Sequence, residues 1–202
     1  MHREVDGTTF YLGADIKFTR TYTSEKVNTP TGSNLITPSW FFTFNDRVSY
    51  AKIRYVSPDT GTYHRIAWTR GDGGKVFFTG DNVNNLQPSD QFASYIAPVT
   101  PGTTNSGWVI RDREQNEYIF NSTGRLISYQ ANGAYKIDFT QSSMNDLTFA
   151  YVGSQLLYTY ERDINRNHLI TKIKFPDGKE YQYNYNSLQN LTKATMPDGR
   201  FK

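Results

Sequence analysis

The chain has 202 residues, with Lys plus Arg at 22 against Asp plus Glu at 19, so its net charge of +3 is too small to point to nucleic acid. It has no Cys, which excludes disulfides and thiolate metal sites, and no stretch near 18 consecutive apolar residues, which excludes a membrane-spanning helix. Hydrophobic residues make up only 37%, and with 15 Tyr and 13 Phe the aromatic rings must do much of the burying.

Taken in order, nearly every segment alternates with period 2 rather than 3.6, which predicts strands. Met1–Gly7 lacks the apolar core of a signal peptide. Thr9–Leu12 starts a short strand and Asp15–Tyr22 alternates cleanly. Ser24–Ser39, rich in Asn, Thr, Pro and Gly, predicts a long loop. Strands follow at Trp40–Asn45, Arg47–Tyr55, Tyr63–Trp68 and Lys75–Thr79, with turns at Pro58–Gly61 and Gly71–Gly74. Residues 80–106 are the least regular, and Ser89 as a cap predicts a short helix over Ser89–Tyr95.

From Gly107 the rhythm becomes regular. Strands are predicted at Trp108–Arg111, Glu117–Phe120, Gly124–Tyr129, Ala134–Phe139, Leu147–Tyr151 and Leu156–Tyr160, with a turn at Ala131-Asn132-Gly133. Two near-copies then close the chain: residues 168–178 end in Pro176-Asp177-Gly178 and residues 189–199 end in Pro197-Asp198-Gly199. The offset of about 21 residues, by subtraction, lies in the range of repeat architectures. The expected fold is therefore all-β: an antiparallel hairpin array forming a curved repeat sheet. The N-terminal region 1–106 is expected to run into repeats over 107–202 without a linker, and an end just past a turn suggests a piece of a longer chain. Asn132-Gly133 and Asp177-Gly178 need positive φ at the glycine, so Gly178→Val should cost about 1–3 kcal/mol through backbone strain.

Several segments imitate known chemical motifs. Gly71-Asp72-Gly73-Gly74-Lys75 invites a phosphate loop, but Thr69 and Val76 stand where Gly and Ser/Thr are required, so it reads as a hairpin turn. Asp163–Asn167 imitates the start of a calcium loop, but His168 and Lys174 replace the Gly and Glu that such a loop needs. His2, His64 and His168 show no ligand spacing, and no metal or cofactor is expected. The pairs Asp112/Glu114 and Glu161/Asp163 would lie about 7 Å apart on one strand face, a spacing a glycoside hydrolase could use, but solvated strand ends explain the same pairs and are the favoured reading. Tyr181, Tyr183 and Tyr185 share one strand face and offer a platform for sugar rings, against the simpler reading of cross-strand packing.

The run Glu117–Leu126, with Gly124, Arg125 and Leu126, resembles the Y-x-F-x-x-x-G-R-L unit of RHS/YD-repeat proteins. The Pro-Asp-Gly units with Tyr181–Tyr185 between them are similar to the repeats of the same family, and Arg20, Tyr22, Ser24 and Trp40 resemble its R-x-Y-x-S…G-W opening. Three departures stand out: Ser39 replaces the Gly before Trp40, Asn184-Tyr185-Asn186 replaces the Tyr-Asp dipeptide, and no Asp-Pro-x-Gly self-cleavage signature occurs. The resemblance implies a β-strip that winds into the shell of a bacterial secreted polymorphic toxin or effector and encapsulates or presents a C-terminal toxin domain. It implies no enzymatic activity in this segment. Arg20, Tyr22, Ser24 and Trp40 would fix the entry region, and Gly124, Gly133, Gly178 and Gly199 would set turns. Expected partners are the rest of its own chain and the toxin domain, with glycans as an alternative; exposed sheet edges would let the chain self-associate. The expected location is outside a bacterial cell or on its surface.

Overall fold

A computed structural model describes residues 2–11, 14–23, 26–28, 34–36, 39–42, 47–54, 62–72, 74–89, 91, 93–103, 106–141, 147–163, 165, 169–188 and 190–201; side chains are described at Ile16, at Thr19–Thr21 and from Tyr63 onward. Every regular element among them is a strand. The chain divides into two compact units, one made of 1–43 with 139–202 and the other of 44–138.

In the first unit, β1 (His2–Tyr11), β2 (Ala14–Thr23) and β5 (Ser39–Phe42) form an antiparallel sheet in the order β1-β2-β5. β1 begins well before the predicted Thr9, because a bulge after Val5 lets the ladder carry on to His2↔Tyr22. The stretch expected to be one long loop contains a small hairpin, β3 (Lys26–Asn28) with β4 (Asn34–Ile36). Val27 is the register partner of Leu35 in that hairpin, whose three-residue strands are too short for period 2 to reveal. The unit continues with β15 (Leu147–Val152), β16 (Gln155–Asp163), β17 (Leu169–Lys174), β18 (Glu180–Tyr185) and β19 (Leu191–Thr195), each antiparallel to the next. Ala150, Tyr158, Tyr160, Ile170, Ile173, Tyr183 and Ala194 are buried along these strands. Tyr160↔Ile173 and Tyr183↔Ala194 are direct cross-strand neighbours, so burial runs from strand to strand.

The second unit holds β6 (Arg47–Arg54), β7 (Thr62–Thr69), β8 (Lys75–Gly80) and β9 (Gln87–Pro88), adjacent in that order. It also holds β10 (Ala93–Pro98), β11 (Trp108–Asp112), β12 (Glu117–Phe120), β13 (Leu126–Gln130) and the first residues of β14 (Lys136–Gln141), again each antiparallel to the next. The helix expected over Ser89–Tyr95 is not formed, because β10 starts at Ala93. A register shift between Ala93 and Tyr95 places Ala93 and Ile96 both in the core, and this three-residue spacing imitates a helical turn in the sequence. Ile96, Ile110, Tyr118, Tyr129 and Ile137 then form one cross-strand row over five strands. Trp68 on β7 packs on this row, its ring 4.9 Å from that of Tyr118.

Candidate functional site

One turn design recurs where strands reverse. At Phe175–Lys179 the Phe175 N–H donates to the Lys179 carbonyl (2.9 Å) and the Gly178 N–H donates back to Phe175 (3.0 Å). Met196–Arg200 repeats both bonds at 2.7 and 3.0 Å, and Asn121–Arg125 does so at 2.9 and 2.9 Å. In each turn the fourth residue carries positive φ: Gly178 at 82°, Gly199 at 80° and Gly124 at 73°. This is a three-residue hairpin loop whose last position is left-handed, the geometry that glycine takes without penalty. Pro176 and Pro197 occupy the first loop position, where a fixed φ suits the turn. Gly133 differs slightly, since its positive φ of 65° falls one place earlier in the Ala131–Tyr135 turn. Space beside Gly178 is open, so Gly178→Val is charged for its backbone angle alone. A loss of about 1–3 kcal/mol in a denaturant titration is the expected result.

Gln115 is the exception. It takes φ of 65° in the equivalent place of the Asp112–Asn116 turn, the one described residue other than glycine to do so. Gln115→Gly is expected to add about 0.5–1 kcal/mol, the relief of left-handed strain less the extra freedom of the unfolded chain. Equilibrium unfolding of the single variant checks it.

The Pro-Asp-Gly turns are also locked by charge. Asp177 accepts from the Lys179 N–H at 3.1 Å and from its ammonium at 2.5 Å, and Asp198 accepts from the Arg200 N–H at 3.0 Å and its guanidinium at 2.6 Å. The Lys179 bonds hold the Asp177 carboxyl below its usual pKa and raise that of Lys179, and the Arg200 bonds likewise lower Asp198. These groups lie at the exposed surface, and their role is to shape the turn.

On the polar face between these turns, Lys172 and Lys174 each reach both Glu161 and Glu180, at 3.2–3.8 Å. Burial pushes the Glu180 pKa up, but hydrogen bonds from Gln182 and Lys172 and the charges of both lysines outweigh it, and the net shift is downward. A carboxylate with a lowered pKa stabilises the fold above its ordinary value of 4.5, and the contribution fades as pH falls through the folded value. Melting temperatures of the wild type and Glu180→Gln should therefore differ at neutral pH and converge on acidification; a gap independent of pH would contradict this.

Three residues of the entry motif lie in defined strands, Arg20 and Tyr22 on β2 and Trp40 on β5. Tyr22 pairs with Trp40 across β2 and β5. Ser24 lies outside the described residues. Arg20 is 2% exposed and its guanidinium sits 5.5 Å from the centre of the Tyr183 ring, so the opening motif and the repeat strand meet in one place. The tyrosines of that strand are partly enclosed. Tyr183 is 3% exposed, the Tyr185 hydroxyl donates to the Ile170 carbonyl at 2.7 Å, and Tyr181 meets Phe175 edge-on with centroids 6.0 Å apart. Leu126 is in the core, and Arg125 follows Gly124 with its N–H on the Asn121 carboxamide at 3.0 Å.

The other candidates are dispersed. Gly71, Asp72 and Gly74 lie in a turn closed by Arg70 N–H to Gly74 O at 2.8 Å, with an Arg70–Asp72 ion pair, and Gly73 is outside the described residues. Asp112 ends β11 and Glu114 lies in the following turn, so they do not share a strand face as expected; the strand stops two residues earlier than that pairing requires. Glu161 and Asp163 do share β16, with Glu161 tied to the lysines. His2 and His64 lie on β1 and β7, whereas His168 and most of the calcium-loop stretch lie outside the described residues. No cluster of three metal-ligating side chains occurs among the described residues.

Within the second unit, one concavity was not foreseen. A cleft of about 780 Å³ opens beside Trp68, Tyr118 and Tyr129, with Asp112, Asn116, Arg113, Glu114, Gln91 and Arg70 around it. Sequence alternation puts Tyr118 and Tyr129 on successive predicted strands but cannot say that they pair or that Trp68 from another sheet will pack on Tyr118.

The RHS Repeat family model matches residues 165–200. No curated protein matches the chain. RHS repeats are in general structural elements and occur mostly in extracellular or surface proteins. The matched stretch is the one in which two Pro-Asp-Gly hairpins flank the Tyr181–Tyr185 strand, so residues 165–200 are similar to an RHS repeat, which supports the RHS/YD-repeat resemblance over that segment.

Proposed function

We propose that the chain forms part of the wall of a secreted bacterial toxin or effector, a wall that encloses or presents a toxin domain located toward the C-terminus of the same polypeptide. The single observation that carries this reading is the hairpin module of the matched segment. Its turns are closed by their own residues, its strands bury their apolar side chains against neighbouring strands, and the Thr195↔Phe201 bridge shows the ladder still pairing past β19. Such a module extends a surface by repetition, each hairpin resting on the one before. Leu188 and Phe201, 74% and 69% exposed, lie at the last hairpins, where a further strand or another part of the polypeptide would cover them.

The test uses the full-length protein. The toxin domain proposed to follow the repeats is expected to resist protease while the repeats are folded. It should become sensitive when Gly178 and Gly199 are both replaced by valine, which opens two turns of the wall. Equal digestion of that domain in both proteins would remove the enclosing role and leave a plain repeat scaffold.

A further inference from the structure

The cleft beside Tyr118 and Tyr129 lies outside the matched repeat, and the wall reading gives it no task. We infer that it is a binding site for a neutral saccharide, with the Tyr118 and Tyr129 rings as its floor and the Asp112–Asn116 turn as its polar lip.

The size suits one or two sugar rings: about 780 Å³ falls within the 300–1,000 Å³ usual for small-ligand sites. Its floor is aromatic. Tyr118 and Tyr129 are direct cross-strand partners with ring centres 5.1 Å apart, backed by the buried Trp68. Both tyrosines are half-buried, so part of each ring remains open to the cleft. A pyranose presents a C–H face that an aromatic ring can cover and an equatorial belt of hydroxyls that must find polar partners.

The lip supplies such partners already held in place. Asp112 accepts from the Asn116 backbone and carboxamide, each at 2.9 Å, and from the Tyr118 hydroxyl at 3.3 Å, which ties the lip to the floor. Asn116 is steadied from the next turn, whose Asn132 N–H donates to its side-chain oxygen at 3.0 Å. Arg113 donates to Gln91 at 3.3 Å, and both are exposed. Planar amide, carboxylate and guanidinium groups that fix one another suit adjacent hydroxyls, each of which can both give and take a hydrogen bond.

Charge selects among ligands. Arg70 and Arg113 are balanced by Asp112 and Glu114, so the cleft has no net sign to attract a sulfated or phosphorylated ligand or a polycation. The lip also carries Gln115 in its left-handed conformation, strain of the kind that persists at ligand-holding positions.

The experiment is isothermal titration of the 202-residue chain with cellotetraose, maltotetraose and tetra-N-acetylchitotetraose, alongside a sulfated disaccharide and an aromatic tetrapeptide. At least one neutral tetrasaccharide should bind. Arg113→Ala and Gln91→Ala, exposed positions whose loss should leave the circular dichroism spectrum unchanged, should each weaken that binding about tenfold. Tyr129→Leu should abolish it with the β-sheet spectrum retained. The inference falls if a folded chain binds none of the three, if binding ignores all three substitutions, or if the sulfated disaccharide or the peptide is preferred. None of these outcomes bears on protease protection, so the wall and the sugar site fail separately.

Discussion

Replacing Gly107 with alanine is expected to unfold more of this protein than any comparable change in the repeat turns. Gly107 has φ of 94°, and a methyl group there would lie 2.1 Å from the Phe120 carbonyl oxygen and 2.9 Å from the Asn121 carbonyl carbon. Both are backbone atoms, so no rotamer change relieves the overlap. The position is crowded because Gly107 closes the β10–β11 connection, its carbonyl accepting from the Val99 N–H at 3.0 Å, directly before Trp108 pairs with Phe120. Relief would pull β11 from β12 at the centre of the second unit. With strain and lost pairing combined, Gly107→Ala should cost about 3–4 kcal/mol. Gly178→Ala, where no atom lies within 4 Å, should cost about 1–2 kcal/mol. Urea titration of the two variants side by side measures the difference, and equal losses would contradict the close approach.

Trp68→Ala is the second large effect. Trp68 is 2% exposed and is among the largest side chains the protein buries completely or nearly so. It contacts Tyr118, which contacts Tyr129, which lies 6.3 Å from Tyr135. Truncation removes the indole from this series and leaves a cavity that rigid strands cannot close, at a cost of about 3–5 kcal/mol. Trp68→Phe keeps a ring against Tyr118 and should lose less than half of that. Burial also raises the Tyr135 pKa, so loosening of the series should bring its alkaline titration back toward the ordinary value of 10.0, readable by absorbance. An unchanged midpoint in Trp68→Ala would mean that Trp68 supports little of the packing.

The local grammar of this fold is legible in the sequence, and its tertiary closure is not. Pro176-Asp177-Gly178 and Pro197-Asp198-Gly199 announce both the turns and the left-handed glycines, because turn chemistry is decided by three or four adjacent residues. Period 2 places most strands for the same reason. The misread elements depend on distant partners. β10 is a strand because Ile96 meets Ile110, and the bulge behind it disguises the alternation as a helical spacing. The small β3–β4 hairpin is too short to carry any period. Asp112 and Glu114 part company because β11 ends at Asp112, a boundary fixed by the Asn116 turn bonds rather than by composition. Arg20 and Tyr183 are separately recognisable as motif residues, but only folding brings them together. The cleft is the extreme case, since its aromatic lining comes from strands of two sheets and its lip from a turn that reads as ordinary solvated polar residues.

The two ends of the β17–β19 ribbon are chemically unlike. Turns at 175–179 and 196–200 carry an aspartate locked by the next cation, while the intervening turn at 186–190 carries Asn186, whose carboxamide accepts from the Leu188 and Asn190 N–H groups at 3.0 and 2.9 Å. One repeat therefore contains one turn of each type and an even number of strands. A gene duplication of that whole length inserts a pair of strands and leaves every later strand running in its original direction, with its inward side chains still inward. A duplication of half that length would invert everything downstream. Unequal crossover between near-identical copies can thus lengthen or shorten such a protein in steps that natural selection finds already folded.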